Sequence, residues 1–181
     1  MLRLFVKEAD DIKDNILELK FSDHHYLTHV LKLKPGNKIE LVIENLELFI
    51  VEIASIQENK LSFLIKSKKR IEIQHLPKMT LAQCLPKQDK FSEIIRKCTE
   101  LGIEYFAPVI SARSIPQLNT DKKKSKLNRW LKILTSASSQ SKQTKQPTLH
   151  PIMSLKEFLI FSRNSEFDMK ILFWEEENAL S

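Results

Sequence analysis

The chain has 181 residues, 42% of them hydrophobic, and can therefore bury one core or two small ones. It has no apolar run near the ~20 residues of a membrane span and no N-terminal signal segment, so the cytoplasm is its default location. Its two glycines, Gly36 and Gly102, are too few for the glycine-rich loops that bind nucleotide phosphates.

The net charge of +6 is concentrated in one segment. Between residues 113 and 145, nine basic residues accompany one acid, which gives this segment +8 and leaves −2 for the rest of the chain. A local basic excess is typical of a protein that binds a polyanion, although a solvated lysine-rich helix would carry the same charge. The candidate RNA contacts in this segment are Lys122, Lys124, Lys126, Arg129, Lys132 and Lys145.

Residues 1–74 are predicted to form a small β-rich domain. Apolar residues alternate from Leu2 to Val6, which predicts an opening strand, and Asp23 precedes a short predicted helix. A turn is expected at residues 34–37. The predicted strands that follow span residues 38–43, 46–56, 61–66 and 69–73. Five short strands and a helix indicate a small β-barrel.

Two groups of polar residues in this domain attract attention. The lysines at 60, 66, 68 and 69 lie on predicted strand edges, where they would protect against edge pairing or contact RNA. The three histidines between residues 24 and 29 are not predicted to bind a metal, because only Asp23 is near enough in sequence to add a carboxylate.

Residues 79–114 carry the pattern of two parallel strands joined by a helix. An apolar run at 81–85 predicts a strand that is buried on both faces. The helix has Asp89 as its predicted N-cap and Gly102 at the left-handed position beyond its last turn. Its predicted apolar stripe comprises Phe91, Ile94, Ile95, Cys98 and Leu101. A second apolar run at 103–110 completes the unit.

In such sheets ligands bind beyond the carboxyl ends of the strands, which here are residues 87–90 and 111–114. Cys84 and Cys98 fall on apolar positions of the same unit. They are therefore predicted to be core thiols and not a disulfide or a metal pair.

The last third of the chain adds two helices and a strand. A helix is predicted over residues 122–139, and a capping box from Ser154 to Glu157 predicts a short helix that follows it. The apolar side of the first helix comprises Leu127, Trp130, Leu131, Leu134 and Ala137. Residues 169–174 are predicted to form a third buried strand. A parallel sheet of three such strands leaves an open apolar edge, which more chain or a partner would cover.

Several motifs occur in an order that identifies a family resemblance. They are LPKQDKFSEIIRKCTELG, PVISARS, RWLKI, a QS pair followed by a proline, and LFWEEE. The N-terminal LRLFV and HHYLTHVLKLKPGNKIELV agree with the same family. Together these motifs extend over nearly the whole chain, which resembles the RsmE family of small-subunit ribosomal RNA methyltransferases.

This resemblance implies an α/β protein in which residues 1–74 form a PUA-like β-barrel that holds RNA. Residues 75–181 would form the first part of a SPOUT methyltransferase domain, whose family members contain a deep trefoil knot. The resemblance also implies a homodimer that uses S-adenosylmethionine to methylate N3 of a uridine in 16S rRNA. The GPEGG and LGxRILRxET motifs, which form the knot and hold the methyl donor in the family, do not occur in this sequence. The chain is therefore expected to be a fragment or a degenerate relative, and no cofactor is expected to bind these residues alone.

The resemblance also suggests site residues. Arg113, Glu100 and Asp89 are the catalytic candidates. Arg113 would anchor the substrate or pair with Glu100, which would itself be functional or structural, and Asp89 would act in the site or cap its helix. Glu175, at the end of the third predicted strand, is a further candidate. The other candidate RNA contacts are Arg3, Lys32, Lys34, Lys87, Lys90, Gln140 and Ser141.

Three positions depart from the family pattern. Gln88 stands where the family has glycine, and Ser139 and Gln143 stand where the family has a glutamate and an arginine. The last two would remove an acid and a cation from the cleft. Two rival functions follow from the same sequence: a non-catalytic RNA-binding module, and a protein-interaction domain whose open sheet edge accepts a partner strand.

Overall fold

The computed structural model describes residues 1–6, 11–20, 28, 31–43, 47–57, 60–71, 77–112 and 119–173. These residues form two β-sheets, each with its own hydrophobic core, and three α-helices. The strands are β1 Arg3–Val6, β2 Asp11–Lys13, β3 Ile16–Lys20, β4 Lys38–Ile43, β5 Glu47–Gln57, β6 Lys60–Arg70, β7 Thr80–Cys84, β8 Tyr105–Ile110, β9 Thr148–Leu149 and β10 Met153–Ser154. The helices are α1 Lys90–Glu100, α2 Thr120–Gln140 and α3 Leu155–Asn164. The predicted α/β class with an N-terminal β-domain is therefore confirmed.

The N-terminal sheet has the strand order β1-β4-β5-β6-β3-β2. Its neighbours are antiparallel except for β1 and β4, which are parallel. Apolar residues on alternate positions of these strands form the core, because successive side chains of a strand point to opposite faces. The fully buried members include Leu17, Ile39, Leu41, Phe49, Val51, Ile53, Leu61 and Phe63.

One hairpin of this sheet was not predicted. Asp14 and Asn15 connect β2 to β3 with positive φ angles of 48° and 63°, a geometry that favours Asp, Asn and Gly in two-residue turns. The strand predicted over 61–66 continues without a break into the one predicted over 69–73 as far as Arg70, in β6, and residues 72 and 73 lie outside the described residues. Most of the helix predicted after Asp23, over residues 24–33, lies outside the described residues; residues 31–33 are described and are not helical.

The prediction that the β6 lysines protect a sheet edge is wrong, because β6 lies between β5 and β3. Three of these lysines instead form ion pairs with carboxylates on the neighbouring strands. The pairs are Lys60 with Glu18 at 2.8 Å, Lys66 with Glu52 at 3.1 Å and Lys68 with Glu47 at 2.7 Å. Their charge is therefore largely neutralised within the sheet.

The second sheet is parallel, with the strand order β10-β8-β7 and with β9 also paired to β8. The predicted strand-helix-strand unit is β7-α1-β8. Gly102 ends α1 as predicted, with a φ of 93°. Its N–H donates to the Thr99 carbonyl at 3.0 Å, and the Ile103 N–H donates to the Cys98 carbonyl at 3.0 Å, which are the two bonds of a Schellman cap.

The core of the second sheet lies between the sheet and the pair of helices α1 and α2. Phe91 and Trp130 meet edge to face with ring centroids 4.6 Å apart, which joins the two helices. Trp130 is a core residue, as predicted, at 2% exposure. Leu101, at the end of the predicted apolar stripe, is instead 78% exposed because it is the C-cap residue beyond the last turn of α1.

The prediction that the first parallel strand is buried on both faces is wrong. β7 is an edge strand, and Ala82 and Cys84 on one of its faces are exposed. The strand with two covered faces is β8, since the Tyr105 ring stacks on His150, which in turn contacts Phe161 of α3. The prediction that Cys84 is a core thiol is therefore also wrong, whereas Cys98 packs against the core.

The third strand predicted over residues 169–174 is not formed by the described residues 169–173. The side chains of Met169, Ile171, Leu172 and Phe173 are between 68% and 93% exposed. The side of β8 that faces away from β7 is paired with the short strands β9 and β10, which were not predicted from the sequence.

The predicted capping box is confirmed at the start of α3. The Glu157 N–H donates to the Ser154 hydroxyl at 3.2 Å, and the Ser154 N–H donates to the Glu157 carboxylate at 2.7 Å. This backbone hydrogen bond lowers the pKa of Glu157. Within the described residues, no helix is long and apolar enough to cross a membrane.

The two cysteines are expected to differ in reactivity. In the native protein, Cys84 should alkylate at least about tenfold faster than Cys98, because Cys84 is exposed while burial raises the pKa of the Cys98 thiol. Peptide mass spectrometry after a brief pulse of iodoacetamide measures both rates, and the urea-denatured chain provides the control in which the rates converge. Equal alkylation rates of Cys84 and Cys98 in the native protein would contradict the difference in exposure between the two thiols.

Candidate nucleic-acid interface

An open groove of about 560 Å³ lies beyond the carboxyl end of β7, where a parallel sheet is expected to bind ligands. One wall is the loop that joins β7 to α1, and the other wall is the N-terminal half of α2. The lining residues are Leu85, Pro86, Lys87, Gln88, Asp89, Phe91, Lys126, Arg129 and Trp130. Two segments about 40 residues apart in sequence therefore form one basic groove.

A second groove of about 400 Å³ continues along the space between α1 and α2. It shares Asp89 and Arg129 with the first groove. Its lining residues are Asp89, Ser92, Glu93, Arg96, Arg129, Ile133, Ser136, Ala137 and Gln140. The two grooves thus form one path along the surface of both helices.

Helical spacing explains why Lys126 and Arg129 of α2 both line this path, with Lys122 on the same side of the helix but outside both grooves. Lys122, Lys126 and Arg129 follow one another at i, i+4 and i+7, so at 100° per residue they share one face of α2. Lys124 is two residues beyond Lys122 and therefore points about 200° away from it. The helix begins at the N-cap Asn119, whose side chain accepts from the Lys122 N–H at 3.0 Å.

Asp89 and Arg129 form an ion pair where the two grooves meet. Their side chains are 47% and 62% exposed, so water and a ligand can both reach the pair. Asp89 occupies the predicted N-cap position of α1 but makes no side-chain cap hydrogen bond. Its carboxylate accepts instead from the Ser92 hydroxyl, at 2.7 Å, and from Arg129.

The groove carries more positive than negative charge. Among the described residues, Lys87 and Lys126 take part in no ion pair, and the Lys126 amine lies 5.6 Å from the centroid of the Trp130 ring. Glu93, in the second groove, forms an ion pair with Lys97 at 2.9 Å. The hydrogen bond from Lys97 lowers the pKa of Glu93. Both acids of the path are therefore already paired with a cation.

Gln88 turns the chain from the groove loop into α1 with a φ of 59°. This is the left-handed region, which a residue with a Cβ enters at a cost. The sequence position where the family has glycine thus has a backbone conformation that favours glycine.

Eight other predicted RNA contacts are exposed, and among them Gln140 lines the second groove while the rest line neither groove. They are Lys32, Lys34, Lys90, Lys122, Lys124, Lys132, Gln140 and Lys145. Lys32 and Lys34 precede β4 and line neither groove. Ser141 is the C-cap residue of α2, and its hydroxyl donates to the Ala137 carbonyl at 2.8 Å.

The catalytic candidates are not brought together by the described residues. Asp89 lies in the groove, whereas Glu100 is exposed at the other end of α1, ten residues and therefore about 15 Å along the helix from Lys90. Arg113 and Glu175 lie outside the described residues. The predicted pairing of Arg113 with the substrate or with Glu100 stays a prediction.

The prediction that Arg3 is an exposed RNA contact is wrong. Arg3 is 7% exposed, and its guanidinium forms an ion pair with Glu40 of β4 at 2.8 Å. It also donates to the backbone carbonyls of Lys142 and Gln143, at 2.6 and 2.9 Å. The alternation of side chains along β1 indicates which residues share a face, but not whether that face is exposed to water. The face that carries Arg3 packs against the end of α2.

Two of the departures from the family pattern lie at this same junction and line neither groove. Ser139 is buried and its hydroxyl bonds to the backbone of Arg3. The Gln143 side chain donates to the Thr99 carbonyl at 3.0 Å. The sequence alone did not indicate a junction role for these residues, because their contacts lie more than 40 positions away.

Comparison with known proteins agrees with this arrangement. A family model described as an RNA methyltransferase domain matches residues 74–181, which include both grooves. The chain belongs to this RNA methyltransferase family. A second model, described as an RNA methyltransferase PUA domain, matches residues 22–66.

Relatives of the RNA methyltransferase family carry consistent names. Ribosomal RNA small subunit methyltransferase E of Bacillus subtilis is 32% identical over 155 residues, which are 85% of this chain and 59% of that protein. The protein of the same name from Synechocystis sp. is 29% identical over 154 residues, 85% of this chain and 49% of the relative. The chain thus spans between about half and three fifths of the length of these two relatives.

Solved structures confirm the fold. A crystal structure of a hypothetical protein superposes with a TM-score of 0.75 at 28% identity, covering 89% of this chain and 67% of that one. The methyltransferase E of Neisseria gonorrhoeae bound to S-adenosyl methionine superposes with a TM-score of 0.74 at 24% identity, covering 88% and 65%. A putative methyltransferase of Legionella pneumophila in complex with the same cofactor gives 0.77 at 22%, covering 94% and 69%.

Replacing Gln88 with glycine is expected to stabilise the protein by up to about 1 kcal/mol. The left-handed backbone costs an L-residue about 1–2 kcal/mol, and the greater freedom of glycine in the unfolded chain returns part of that gain. The urea midpoint measures the change. Gln88→Ala keeps the Cβ and should leave the free energy of unfolding within about 0.5 kcal/mol of the parent value. An unchanged Gln88→Gly midpoint would indicate that the loop is not held in this conformation.

Proposed function

We propose that this chain is the RNA-holding part of a ribosomal RNA small-subunit methyltransferase. In this proposal the whole enzyme transfers a methyl group from S-adenosylmethionine to N3 of a uridine in 16S rRNA. The partner is 16S rRNA or the small ribosomal subunit, and the location is the cytoplasm. The observation that carries the proposal is the basic path between α1 and α2, within the residues that match the RNA methyltransferase family.

The shape of this path favours a polymer over a small molecule. Small-molecule sites are mostly enclosed and apolar, whereas this path is open along its length and lined by cations. Lys87, Lys126 and Arg129 line its first groove and can each contact a phosphate.

The two halves of the chain are proposed to have separate roles. Residues 1–74 would form the PUA-like domain that helps to hold RNA, with Lys32 and Lys34 as exposed contacts. Residues 75–181 would contribute one wall of the methyltransferase cleft. A homodimer is also proposed, and apolar side chains exposed on the last described segments support a contact there. They are Leu155, Leu159, Ile160, Met169, Ile171, Leu172 and Phe173.

Methylation of a uridine N3 requires loss of the imide proton and an approach in line with the sulfonium methyl group. Holding the reactants at this geometry can lower the barrier by several kcal/mol, about 7–11 kcal/mol in the best intramolecular cases. The described residues would contribute by fixing RNA phosphates along the path. Asp89 is the proposed acid or base nearest to them, and Arg113 is the proposed anchor. Glu100 stays a proposed catalytic residue, although it lies at the far end of α1 from the groove.

The described residues do not fit S-adenosylmethionine itself. Its sulfonium is a cation, and in the groove it would lie beside Lys87, Lys126 and Arg129. Gly36 lies in a turn and Gly102 in the cap of α1, and no other atom lies within 4 Å of the place that a Cβ would take at either residue. Neither glycine therefore lines a pocket that could hold a cofactor. The methyl donor is therefore assigned to no residue of this path, and no metal-ligand cluster occurs in the described part of the chain.

A non-catalytic RNA-binding relative is the alternative. One observation favours it: Ser139 and Gln143 hold the junction with Arg3 and Thr99, so neither can replace a catalytic acid or cation in the grooves. An assay of methyl transfer by the full-length protein to 16S rRNA distinguishes the two proposed functions, because the alternative predicts RNA binding without methyl transfer.

Residues 1–181 alone are expected to bind S-adenosylmethionine more weakly than micromolar. The physical reason is the like charge of the groove and the cofactor's sulfonium, together with the lack of a free glycine loop. Isothermal titration calorimetry measures the affinity. A micromolar dissociation constant would contradict the assignment of the groove to RNA alone.

The salt dependence of RNA affinity tests the path directly. If about three to five phosphates are neutralised, log K should fall with log salt at a slope of roughly −2 to −4. Lys126→Gln should lower the affinity and reduce the slope by about one, because it removes one phosphate contact. Lys124→Gln removes the same charge from the opposite side of α2 and should change the slope less. Fluorescence anisotropy of labelled RNA at several salt concentrations measures both, and equal effects would show that only the total charge matters.

Asp89→Asn is expected to increase RNA affinity by about three- to tenfold, because Arg129 then offers its full charge to a phosphate. An exposed ion pair contributes at most about 1 kcal/mol to folding, so the urea midpoint should change little. Glu93→Gln, which releases the cation of a second exposed pair, serves as the comparison. If Asp89→Asn lowers affinity while the fold is intact, Asp89 contacts RNA directly.

A further inference from the structure

The edge of the N-terminal sheet is closed by a single hydroxyl group. β1 is an edge strand, so the N–H and C=O of Arg3 point away from β4. The Arg3 N–H donates to the Ser139 hydroxyl at 3.2 Å, and this hydroxyl donates to the Arg3 carbonyl at 2.5 Å. Ser139 lies in the last turn of α2. The end of α2 therefore occupies the place of a neighbouring strand.

The Arg3 side chain makes a second connection across the same junction. Its Nε and Nη2 bond to the Glu40 carboxylate at 2.9 and 2.8 Å, which fixes the guanidinium within the N-terminal sheet. Its Nη1 donates to the carbonyls of Lys142 and Gln143, which follow the C-cap of α2. One planar group thus bonds to both sheet and helix.

The end of α2 is shaped to receive this cation. Lys142 has a φ of 53°, and the Gln143 N–H donates to the Ser138 carbonyl at 3.0 Å, which together close the last turn as a Schellman cap. The cap turns the two following carbonyls toward Arg3. A cation at a helix C-terminus is also favoured by the helix dipole.

The junction continues to α1 through Gln143. The side-chain amide of Gln143 donates to the Thr99 carbonyl, and Thr99 is fully buried in the last turn of α1. The two helices that form the basic path are therefore both bonded, at their C-terminal ends, to one cluster that also includes the N-terminal sheet.

We propose that Arg3 is a positioning residue that fixes the angle between the N-terminal sheet and the α1–α2 layer, so that one RNA strand contacts both. This inference rests on the proposed RNA-binding function. It differs from a general stabilising role because it concerns orientation. The planar guanidinium has enough N–H donors to bond to a carboxylate and two carbonyls at once. A lysine amine at the same place could not bond to all three groups in one plane.

Residual dipolar couplings of backbone N–H groups test the orientation without RNA. One alignment tensor is expected to fit both sheets of the parent protein, whereas Arg3→Gln should require two different tensors while each sheet keeps its own internal couplings. Arg70→Gln is the matched control, because Arg70 is an exposed arginine of the same sheet. A single tensor for folded Arg3→Gln would overturn the proposal.

Arg3→Lys keeps the test decisive if Arg3→Gln does not fold. It keeps a cation beside Glu40 but cannot also serve the carbonyls of Lys142 and Gln143 in one plane. It should therefore also separate the two tensors. If it folds and keeps one tensor while Arg3→Gln is unfolded, Arg3 supports folding only and the proposal fails.

RNA length provides the second measurement. A short oligonucleotide of about four nucleotides can occupy the path alone, whereas one of about 20 nucleotides can reach both halves of the chain. Arg3→Gln should weaken binding of the long RNA by about tenfold or more, through lost effective concentration, and leave the short RNA unchanged. Equal weakening of both RNAs would contradict positioning. If the parent binds neither RNA, the proposed function fails, and the dipolar couplings alone then decide whether Arg3 sets the angle.

Discussion

The buried pair of Arg3 and Glu40 is the interaction on which the arrangement of the two sheets depends. A buried charge is expensive unless it is paired and hydrogen-bonded, and here the guanidinium is shared between a carboxylate and two carbonyls. Those carbonyls belong to the end of α2, so satisfying the charge of Arg3 requires the helix to dock against β1. The same docking covers the sheet edge that β1 would otherwise expose.

The position of the basic path follows from this docking. α1 and α2 are joined to each other through the rings of Phe91 and Trp130. The last turn of α2 bonds to the N-terminal sheet, and the last turn of α1 bonds to the same junction through Gln143. Their opposite ends are left to form the groove with the loop after β7. Cations gather there because Lys126 and Arg129 share a helical face that meets Lys87, and the pairing of Arg129 with Asp89 limits their mutual repulsion.

Much of the fold could be predicted from local pattern. Gly102 and the capping box at Ser154 are set by interactions within a few residues, and the core position of Trp130 follows from the helical period of its segment; all three are confirmed. Strand burial was predicted less well, because an apolar run does not reveal whether its second face is covered. Cys84 is exposed on an edge strand for that reason, and residues 169–173 are exposed where a buried strand was expected.

By itself the sequence determined the family, the strand-helix-strand unit with its caps, and the location of the positive charge, since each depends on residues that are close together in the chain. Only the tertiary structure decided which cations act together and which are structural. Lys87 and Arg129 meet in one groove although they are far apart in sequence, whereas Arg3 is buried against Glu40. The physical reason is that the use of a charge depends on the groups and the water around it after the chain has folded.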